Sequence, residues 1–261
     1  MIKNIKDVFK YRTLIGTLVE RELKARYRGS LLGLFWSFIN PLLLVLVYFI
    51  AFKICLRQNM ENYAVFLFVG ILPWTWFSSS MLEGANSILV GGHYLKKVLF
   101  PSETLPIVAI CSNFVHFILG IPILMMVVGA AGKTINTYHF LIYFPIIVII
   151  QMLFTLSLVI LFSALTVHFR DIQHLLINFL TLWFFSSPII YPQEMVPEKI
   201  SYILIKFNPM AHIVIAYQDI FFYERVPTLR NLGYTAVFSL LLFFLSYAVY
   251  NKLRDTFVEE V

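Results

Sequence analysis

The chain has 261 residues, of which 60% are hydrophobic and 13% are charged. Soluble domains are roughly 45–50% apolar and about 25% charged, so the composition excludes an ordinary soluble fold and indicates a protein that resides in lipid. The net charge of +6 lies in short segments between apolar runs, which is typical of the basic loops of membrane proteins and does not require binding to nucleic acid.

The N-terminal segment, residues 1–31, predicts an amphipathic helix at the cytoplasmic surface of a membrane. Leu14, Leu18 and Leu23 recur at helical spacing among lysines and arginines. The segment does not resemble a cleavable signal peptide, because the apolar run that follows it is too long for one. Its density of basic residues next to that run places it in the cytoplasm.

Six apolar runs are long enough to cross a bilayer as helices, since a crossing needs about 20 mostly apolar residues. The predicted spans are 32–54, 63–82, 107–131, 140–167, 175–192 and 232–250. The expected fold class is therefore an all-α membrane protein with six transmembrane helices. The basic residues in the segments between runs put both termini in the cytoplasm. Several prolines lie in or near the runs, which favours a packed bundle whose neighbouring helices satisfy the freed backbone groups.

The segment between the last two spans, 193–231, is too long for a simple turn, and its part 200–223 is largely apolar. Asn208 and Pro209 interrupt this part near its middle, and proline disfavours a continuous helix. We predict a re-entrant helical hairpin that dips into the outer leaflet and serves as an outer gate, with its hinge at these two residues. The alternative is a seventh span at 200–222, which places the C-terminus outside.

One stretch resembles a phosphate-binding loop at first glance: Gly129-Ala-Ala-Gly132-Lys133-Thr134. The motif requires a glycine where this chain has Val127, and it follows a strand, whereas this stretch follows an apolar helix. We interpret it as a turn with an interfacial lysine, so no ATP site is expected on this chain. Acidic residues are almost absent from the predicted spans, which argues against a proton- or sodium-coupled carrier.

No residue pattern predicts catalysis or metal binding. Cys55 and Cys111 lie far apart in or beside apolar segments and indicate neither a disulfide framework nor a zinc site. The histidines lack metal-ligand spacing. His116 lies within an apolar run, one turn after Asn113. A hydrogen bond between helices and a proton relay both remain open there, and the hydrogen bond is favoured.

A family resemblance rests on the block Arg21–Trp36, with the sequence RELKARYRGSLLGLFW, and on the following Asn40-Pro41-Leu42. This block resembles the N-terminal signature of ABC-2 type permeases, and it is most similar to those that export bacterial surface polysaccharides such as O-antigen, teichoic acid and capsule. Weaker matches follow in the same order along the chain: Phe100-Pro101, Leu105-Pro106, Phe169-Arg170-Asp171-Ile172 and Asn208-Pro209.

The resemblance implies the transmembrane subunit of an ATP-driven exporter that moves lipid-linked polysaccharide across the cytoplasmic (inner) membrane. Such permeases work as homodimers, and each dimer pairs with two copies of a cytoplasmic nucleotide-binding subunit. ATP and Mg then belong to that partner, and this chain has no cofactor and is not an enzyme. The other expected partners are the lipid-linked glycan and membrane lipids, and not nucleic acid. The alternatives are an ABC-2 type exporter of drugs or small lipids and, less favoured, a membrane assembly protein without a transport role.

Force from ATP binding has to reach the spans through cytoplasmic segments, and 83–106 is one of the two largest. We expect a short coupling helix there that starts at Gly91-Gly92, ends before Pro101 and docks on the ATPase. The residues expected at that contact are Tyr94, Lys96, Lys97 and Phe100. A solvated loop with interfacial lysines is the alternative.

Two further groups of side chains are candidates for contact with lipid or substrate. Basic residues that can bind anionic headgroups or the substrate's diphosphate are Arg21, Lys24, Arg26 and Arg28, although signals for topology explain them equally well. Aromatic residues that can present flat apolar faces to sugars in a channel are Tyr63, Phe66, Trp74, Trp76, Phe77, Trp183, Phe184, Phe185, Tyr191 and Tyr217. An aromatic belt at the membrane interface is the alternative for these.

Overall fold

The computed structural model describes residues 10–30, 33–55, 57, 60–97 and 101–257, and within them the chain is helical and contains no strand. The helices are α1 (Arg12–Tyr27), α2 (Trp36–Tyr48), α3 (Tyr63–Lys97), α4 (Thr104–Ala130), α5 (Thr137–His168), α6 (Ile172–Phe185), α7 (Glu198–Ser201), α8 (Pro209–Phe221) and α9 (Leu229–Leu253). Short 3-10 turns lie at Gly33–Phe35, Gln193–Met195 and Arg254–Thr256, and π-helical turns lie at Phe49–Cys55 and Tyr202–Lys206. The all-α expectation is confirmed.

Four of these helices are long and apolar enough to cross a membrane: α3 over Tyr63–Gly92, α4, α5 and α9. The segments Glu198–Lys206 and Pro209–Phe221 form a pair bent by 95°, and the number becomes five if this pair counts as one span. The apolar helices Ile39–Cys55 and α6 are shorter. By length and composition, the described part of the chain therefore contains four or five candidate spans, and the predicted six are not confirmed.

Helix α3 lies at the centre of the bundle and contacts α2, α4, α5, α6 and α8. Glycines allow its closest approaches, because a side chain would collide with the neighbouring helix. A Cβ atom added at Gly84 would lie 2.3 Å from Cγ1 of Val159 on α5. A Cβ atom at Gly120 of α4 would lie 2.5 Å from Cδ1 of Leu72 on α3. These two glycines thus set how closely α3 approaches α5 and α4.

Helix α1 packs along α4 with an amphipathic pattern. Leu14, Leu18 and Leu23 are half-buried, whereas Thr17 and Glu20 between them are exposed. The predicted amphipathic helix is therefore present over Arg12–Tyr27, while its position at a membrane surface stays a prediction. Residues 1–9 of the predicted segment lie outside the described residues.

The structure corrects the prediction that a separate coupling helix starts at Gly91-Gly92. The backbone is helical from Tyr63 to Lys97 without a break, so the helix does not end at residue 82 either. Glycine weakens a helix by only about 1 kcal/mol. Here Gly91 serves packing, because a Cβ atom at this position would lie 2.6 Å from Cδ1 of Leu105 on α4.

The structure also corrects the fifth predicted span, 175–192. Helix α6 ends at Phe185, and the following residues up to Tyr191 are not helical. Pro188 lacks the N–H that would continue the helix. The apolar composition of these residues is explained by burial against α3 and α8, as described below.

Candidate functional site

The two helical segments Glu198–Lys206 and Pro209–Phe221 are called the broken pair below. Asn208 lies at the bend between them, and its side chain binds three parts of the chain. Its Oδ1 atom accepts hydrogen bonds from the backbone N–H of Ala211 at 3.1 Å and from Nε1 of Trp183 on α6 at 2.8 Å. Its Nδ2 atom donates to Oγ of Ser187 at 3.0 Å. Pro209 follows at the first helical position, where its missing N–H has no helical partner to lose. The bend thus coincides with the predicted Asn208-Pro209 hinge.

The non-helical residues after α6 run beside α3 and α8, and side chains of those helices satisfy their carbonyl groups. Gln218 Nε2 donates to the carbonyl oxygen of Pro188 at 2.7 Å, and the Tyr63 hydroxyl donates to that of Ile190 at 2.6 Å. Gly70 permits the approach, because a Cβ atom there would lie 3.1 Å from the carbonyl oxygen of Ile189. Irregular backbone at membrane depth is tolerated when protein groups satisfy it in this way.

Helix α8 is enclosed by the bundle, since every residue from Met210 to Phe221 is buried. A helix with no solvated face belongs inside a large core. Its C-terminal end is held by Lys133, whose Nζ donates to the carbonyl oxygen of Phe222 at 2.8 Å and lies 4.2 Å from the centre of the Phe222 ring. Residues 129–134 are therefore the predicted turn with a lysine, with Gly132 at a φ of +72°.

A second polar cluster joins α1 to α3 and α4 through Arg26. Its Nη2 atom lies 2.7 Å from Oε2 of Glu83 and 3.4 Å from Oε1 of Glu22. Its Nη1 atom donates to Oδ1 of Asn113 at 3.2 Å, and Nδ2 of Asn113 donates to Oε2 of Glu83 at 2.6 Å. Asn113 therefore forms hydrogen bonds between helices, while the hydrogen bond predicted for His116 stays a prediction. Burial, followed by the nearby Glu83 carboxylate, raises the pKa of Glu22 above its ordinary value.

The sequence analysis does not predict this cluster, although the sequence contains one signal for it. Glu83 is an acidic residue at the edge of an apolar run, and such a residue is costly in lipid without a basic partner. Arg26 is the partner, so its guanidinium is engaged within the chain. The other three candidate basic residues, Arg21, Lys24 and Arg28, are exposed. Lys24 makes an exposed pair with Glu20 at 2.6 Å on the same helix.

A cavity of about 400 Å³ lies next to this cluster, between the end of α1 and helices α2, α3 and α4. Polar side chains from each of these elements line it: Arg26, Asn40, Thr75, Ser79, Asn113 and His116. Polar groups within apolar helices are uncommon and usually have a role. This cavity and the segment around Asn208 are therefore two candidate sites.

The residues predicted to contact an ATPase lie at the end of α3. Tyr94, Lys96 and Lys97 belong to its last helical turns, while their side chains and the whole of Phe100 lie outside the described part of the chain. The contact itself stays a prediction.

Most of the aromatic candidates pack inside this single chain. The buried ones are Tyr63, Phe66, Trp74, Trp76, Phe77, Phe184 and Tyr217. They stack on one another and on neighbours, as in the pairs Trp76–Phe117, with ring centres 4.8 Å apart, and Phe77–Trp183, at 5.3 Å. Phe185 is 51% exposed, and Trp183 and Tyr191 are partly buried. Accessible ring surface for a passing molecule is thus concentrated on these last three residues.

Comparison with known proteins gives the family. Residues 13–222 match the family described as ABC-2 type transporter. The chain belongs to this family. The match covers most of the ABC-2 type transporter chain described here, including the Arg26 cluster and the hinge at Asn208, and it confirms the resemblance inferred from the N-terminal block.

Curated relatives of this ABC-2 type transporter chain match it over nearly its whole length. An O-antigen export system permease protein, RfbA, of Myxococcus xanthus is 41% identical over 262 residues, which covers 100% of both chains. A protein of the same name from Klebsiella pneumoniae is 33% identical over 251 residues and 94% of both chains. The polysialic acid transport protein KpsM of Escherichia coli is 25% identical over 256 residues, covering 94% of this chain and 95% of its own.

Proposed function

We propose that this chain is the transmembrane subunit of an ATP-driven exporter that moves lipid-linked polysaccharide across the cytoplasmic membrane. The observation that carries the proposal is the 41% identity, over the full length of both chains, to a relative named as an O-antigen export permease. The relative named for polysialic acid transport supports the same class of cargo. The long apolar helices support a location in the membrane.

ATP hydrolysis belongs to a separate cytoplasmic subunit with its ATP and Mg, and two copies of this subunit bind a homodimer of the chain. Family membership supports this arrangement, because an ABC exporter needs a nucleotide-binding partner. In this proposal both termini are cytoplasmic, the chain crosses the membrane six times, and α1 lies in the inner interface. Arg21, Lys24 and Arg28 then face anionic headgroups or the substrate's diphosphate.

The C-terminal end of α3 transmits the motion of the ATPase through Tyr94, Lys96, Lys97 and Phe100. Because α3 is one unbroken helix from Tyr63 to Lys97, displacement at its cytoplasmic end reaches its other end directly. That other end contacts the segment after α6 through the hydrogen bond from Tyr63 to Ile190. The broken pair around Asn208 and Pro209 acts as the outer gate, and Phe185, Trp183 and Tyr191 offer ring surface to the glycan.

The test is transport by the purified complex. The chain is reconstituted with its ATPase in proteoliposomes that contain radiolabelled lipid-linked glycan from the same cell, and ATP-dependent transfer of the glycan between leaflets is measured. We expect transfer that requires both subunits, and no ATP hydrolysis by the isolated chain. A complex whose ATPase responds to drug-like cations or short lipids, while the glycan is not transferred, would contradict the proposal.

A further inference from the structure

The cavity of about 400 Å³ beside Arg26 has the features of a binding site. Volumes of about 300–1,000 Å³ are typical of pockets for small molecules. Thr75 and Ser79 contribute hydroxyl groups one helical turn apart on α3, and Asn40 contributes an amide from α2. Hydroxyl and amide groups both donate and accept hydrogen bonds. The cavity is therefore suited to a ligand that is itself rich in hydroxyl groups.

The charges around the cavity argue against an anionic ligand. Among the described residues that line it, Arg26 carries a permanent positive charge, and its guanidinium lies 2.7 Å from the Glu83 carboxylate and 3.4 Å from that of Glu22. Two carboxylates thus face one guanidinium, and a phosphate that entered would compete with both. A neutral ligand meets no such competition.

A buried donor on one of the lining residues points to the same chemistry. The side chain of Trp76 is among those that line the cavity, and the residue is only 2% exposed. Its indole Nε1–H has no hydrogen-bond partner in the part of the chain that the structure describes. An unpaired buried donor destabilises the folded protein, and the ring cannot turn freely because it packs on Phe114 and Phe117, with ring centres 5.0 and 4.8 Å apart. A ligand oxygen would remove this cost.

We propose that the cavity binds one neutral sugar unit of the glycan, with the indole N–H of Trp76 and the polar groups of Asn40 and Ser79 as its hydrogen-bonding partners. Trp36 at the rim, 37% exposed, offers its apolar ring to the sugar's C–H groups. The inference rests on the proposed function and adds to it a sugar subsite inside each protomer. It also removes Arg26 from the residues expected to hold the substrate's diphosphate.

The test uses the full chain in complex with its ATPase and a radiolabelled oligosaccharide released by mild acid from the cell's own surface glycan. Binding is measured by equilibrium dialysis. Ser79→Leu fills the cavity and is expected to weaken binding at least tenfold. Ser78→Leu is the matched control, because Ser78 is half-buried on the same helix and does not line the cavity. Trp76→Phe keeps a ring but removes the N–H, and a loss of about three- to tenfold is expected.

Two outcomes overturn the inference. In the first, the oligosaccharide fails to bind the wild-type complex or binds the Ser79→Leu complex equally well. In the second, farnesyl diphosphate displaces the oligosaccharide, which would make the cavity a phosphate site. The transport assay distinguishes these results from failure of the proposed function. A wild-type complex that transfers the glycan, combined with unaltered binding by Ser79→Leu, removes only the subsite, whereas a wild-type complex that transfers no glycan removes the function itself.

Discussion

Asn208 illustrates how a single polar side chain is stabilised inside an apolar bundle. It caps α8 through Ala211 and joins Trp183 to Ser187. Each of its polar atoms has a partner, so its burial is tolerated. Its position next to Pro209 made the bend predictable from the sequence, because both residues act on the local backbone. The partners Trp183 and Ser187 are distant in the sequence, and no local rule identifies them.

Replacing Asn208 with Ala should destabilise the protein. The variant loses a helix cap, worth about 1 kcal/mol, and leaves the Trp183 N–H and the Ser187 hydroxyl without this partner, at about 1–3 kcal/mol. We expect the free energy of unfolding to fall by about 2–4 kcal/mol in an SDS titration in mixed micelles. Asn178→Ala is the control, because Asn178 is exposed and its partner among the described residues is the carbonyl oxygen of His174 on its own helix. Equal losses in the two variants would show that the hydrogen bonds of Asn208 to Trp183 and Ser187 do not stabilise the protein.

Glu22 should make the stability of the protein depend on pH. Burial and the Glu83 carboxylate raise the pKa of Glu22 above 4.5, so folding favours its protonated form. The resulting stability is present below pH 4.5 and is lost as the pH rises through the folded pKa. Glu22→Gln should therefore raise the melting temperature at pH 7, and its advantage should vanish as the pH falls toward 4.5.

Glu20→Gln is the control for that experiment. A hydrogen bond from Lys24 lowers the pKa of Glu20, so removal of this carboxylate should not stabilise the protein at pH 7. Melting temperatures measured between pH 4 and pH 8 give the comparison. A Glu22→Gln advantage that is the same at every pH would mean that titration of Glu22 is not its cause.

At the scale of helices, the contact of α3 with α5 depends on a missing side chain. A Cβ atom at Gly84 would lie 2.3 Å from Cγ1 of Val159, and valine has little freedom to turn away because it is branched at Cβ. Gly84→Ala should lower the free energy of unfolding by about 1–3 kcal/mol through overpacking. The double variant Gly84→Ala/Val159→Ala should recover part of that loss.

The control is Gly16→Ala on α1, where a Cβ atom would meet nothing within 4 Å. Alanine is the better helix former by about 1 kcal/mol, so this variant should be as stable as the wild type or more so. SDS titrations of the four proteins measure the differences. A Gly84→Ala variant as stable as the wild type would show that the two helices separate at little cost.

The helices show which parts of the fold follow from sequence and which do not. The four long ones were predictable because runs such as 107–131 and 140–167 contain enough apolar residues to cross a bilayer. The end of α6 at Phe185 was not, because the residues after it are as apolar as a span, and the side chains that satisfy their carbonyls, Gln218 and Tyr63, come from other helices. The continuation of α3 to Lys97 was missed for a similar reason, since Gly91 resembles a helix start until its contact with Leu105 is known.

At the scale of the whole molecule, contacts between distant helix ends define the two ends of the bundle. Arg254, just after α9, lies 3.3 Å from Glu103 at the start of α4, and the Tyr250 hydroxyl donates to Ser102 at 2.8 Å. The other end of α4 lies beside the end of α8, where Lys133 binds Phe222. The polar residues that line the candidate cavity can each be found in the sequence. That they lie together cannot be predicted from the sequence, because it depends on how the helices pack.

The proposed orientation is tested by single cysteines in a Cys55→Ser/Cys111→Ala background. Tyr138→Cys lies at the start of α5, where Tyr138 is 79% exposed, and Lys252→Cys lies at the end of α9, where Lys252 is also exposed. A membrane-impermeant maleimide should label Tyr138→Cys in intact spheroplasts and Lys252→Cys only after permeabilisation. Labelling of Lys252→Cys in intact spheroplasts would instead support a seventh span at 200–222.

The burial of α8 on all sides has a consequence for biogenesis. Helix α9 covers part of α8, and His212 of α8 lies 3.0 Å from Thr235 of α9, within hydrogen-bonding distance. A helix without a lipid-facing side cannot reach its final position before the segment that encloses it has been synthesised. We therefore expect insertion of this chain to be completed only after synthesis of its last helix, because a nascent chain released before residue 229 leaves His212 without Thr235 and α8 without its cover from α9.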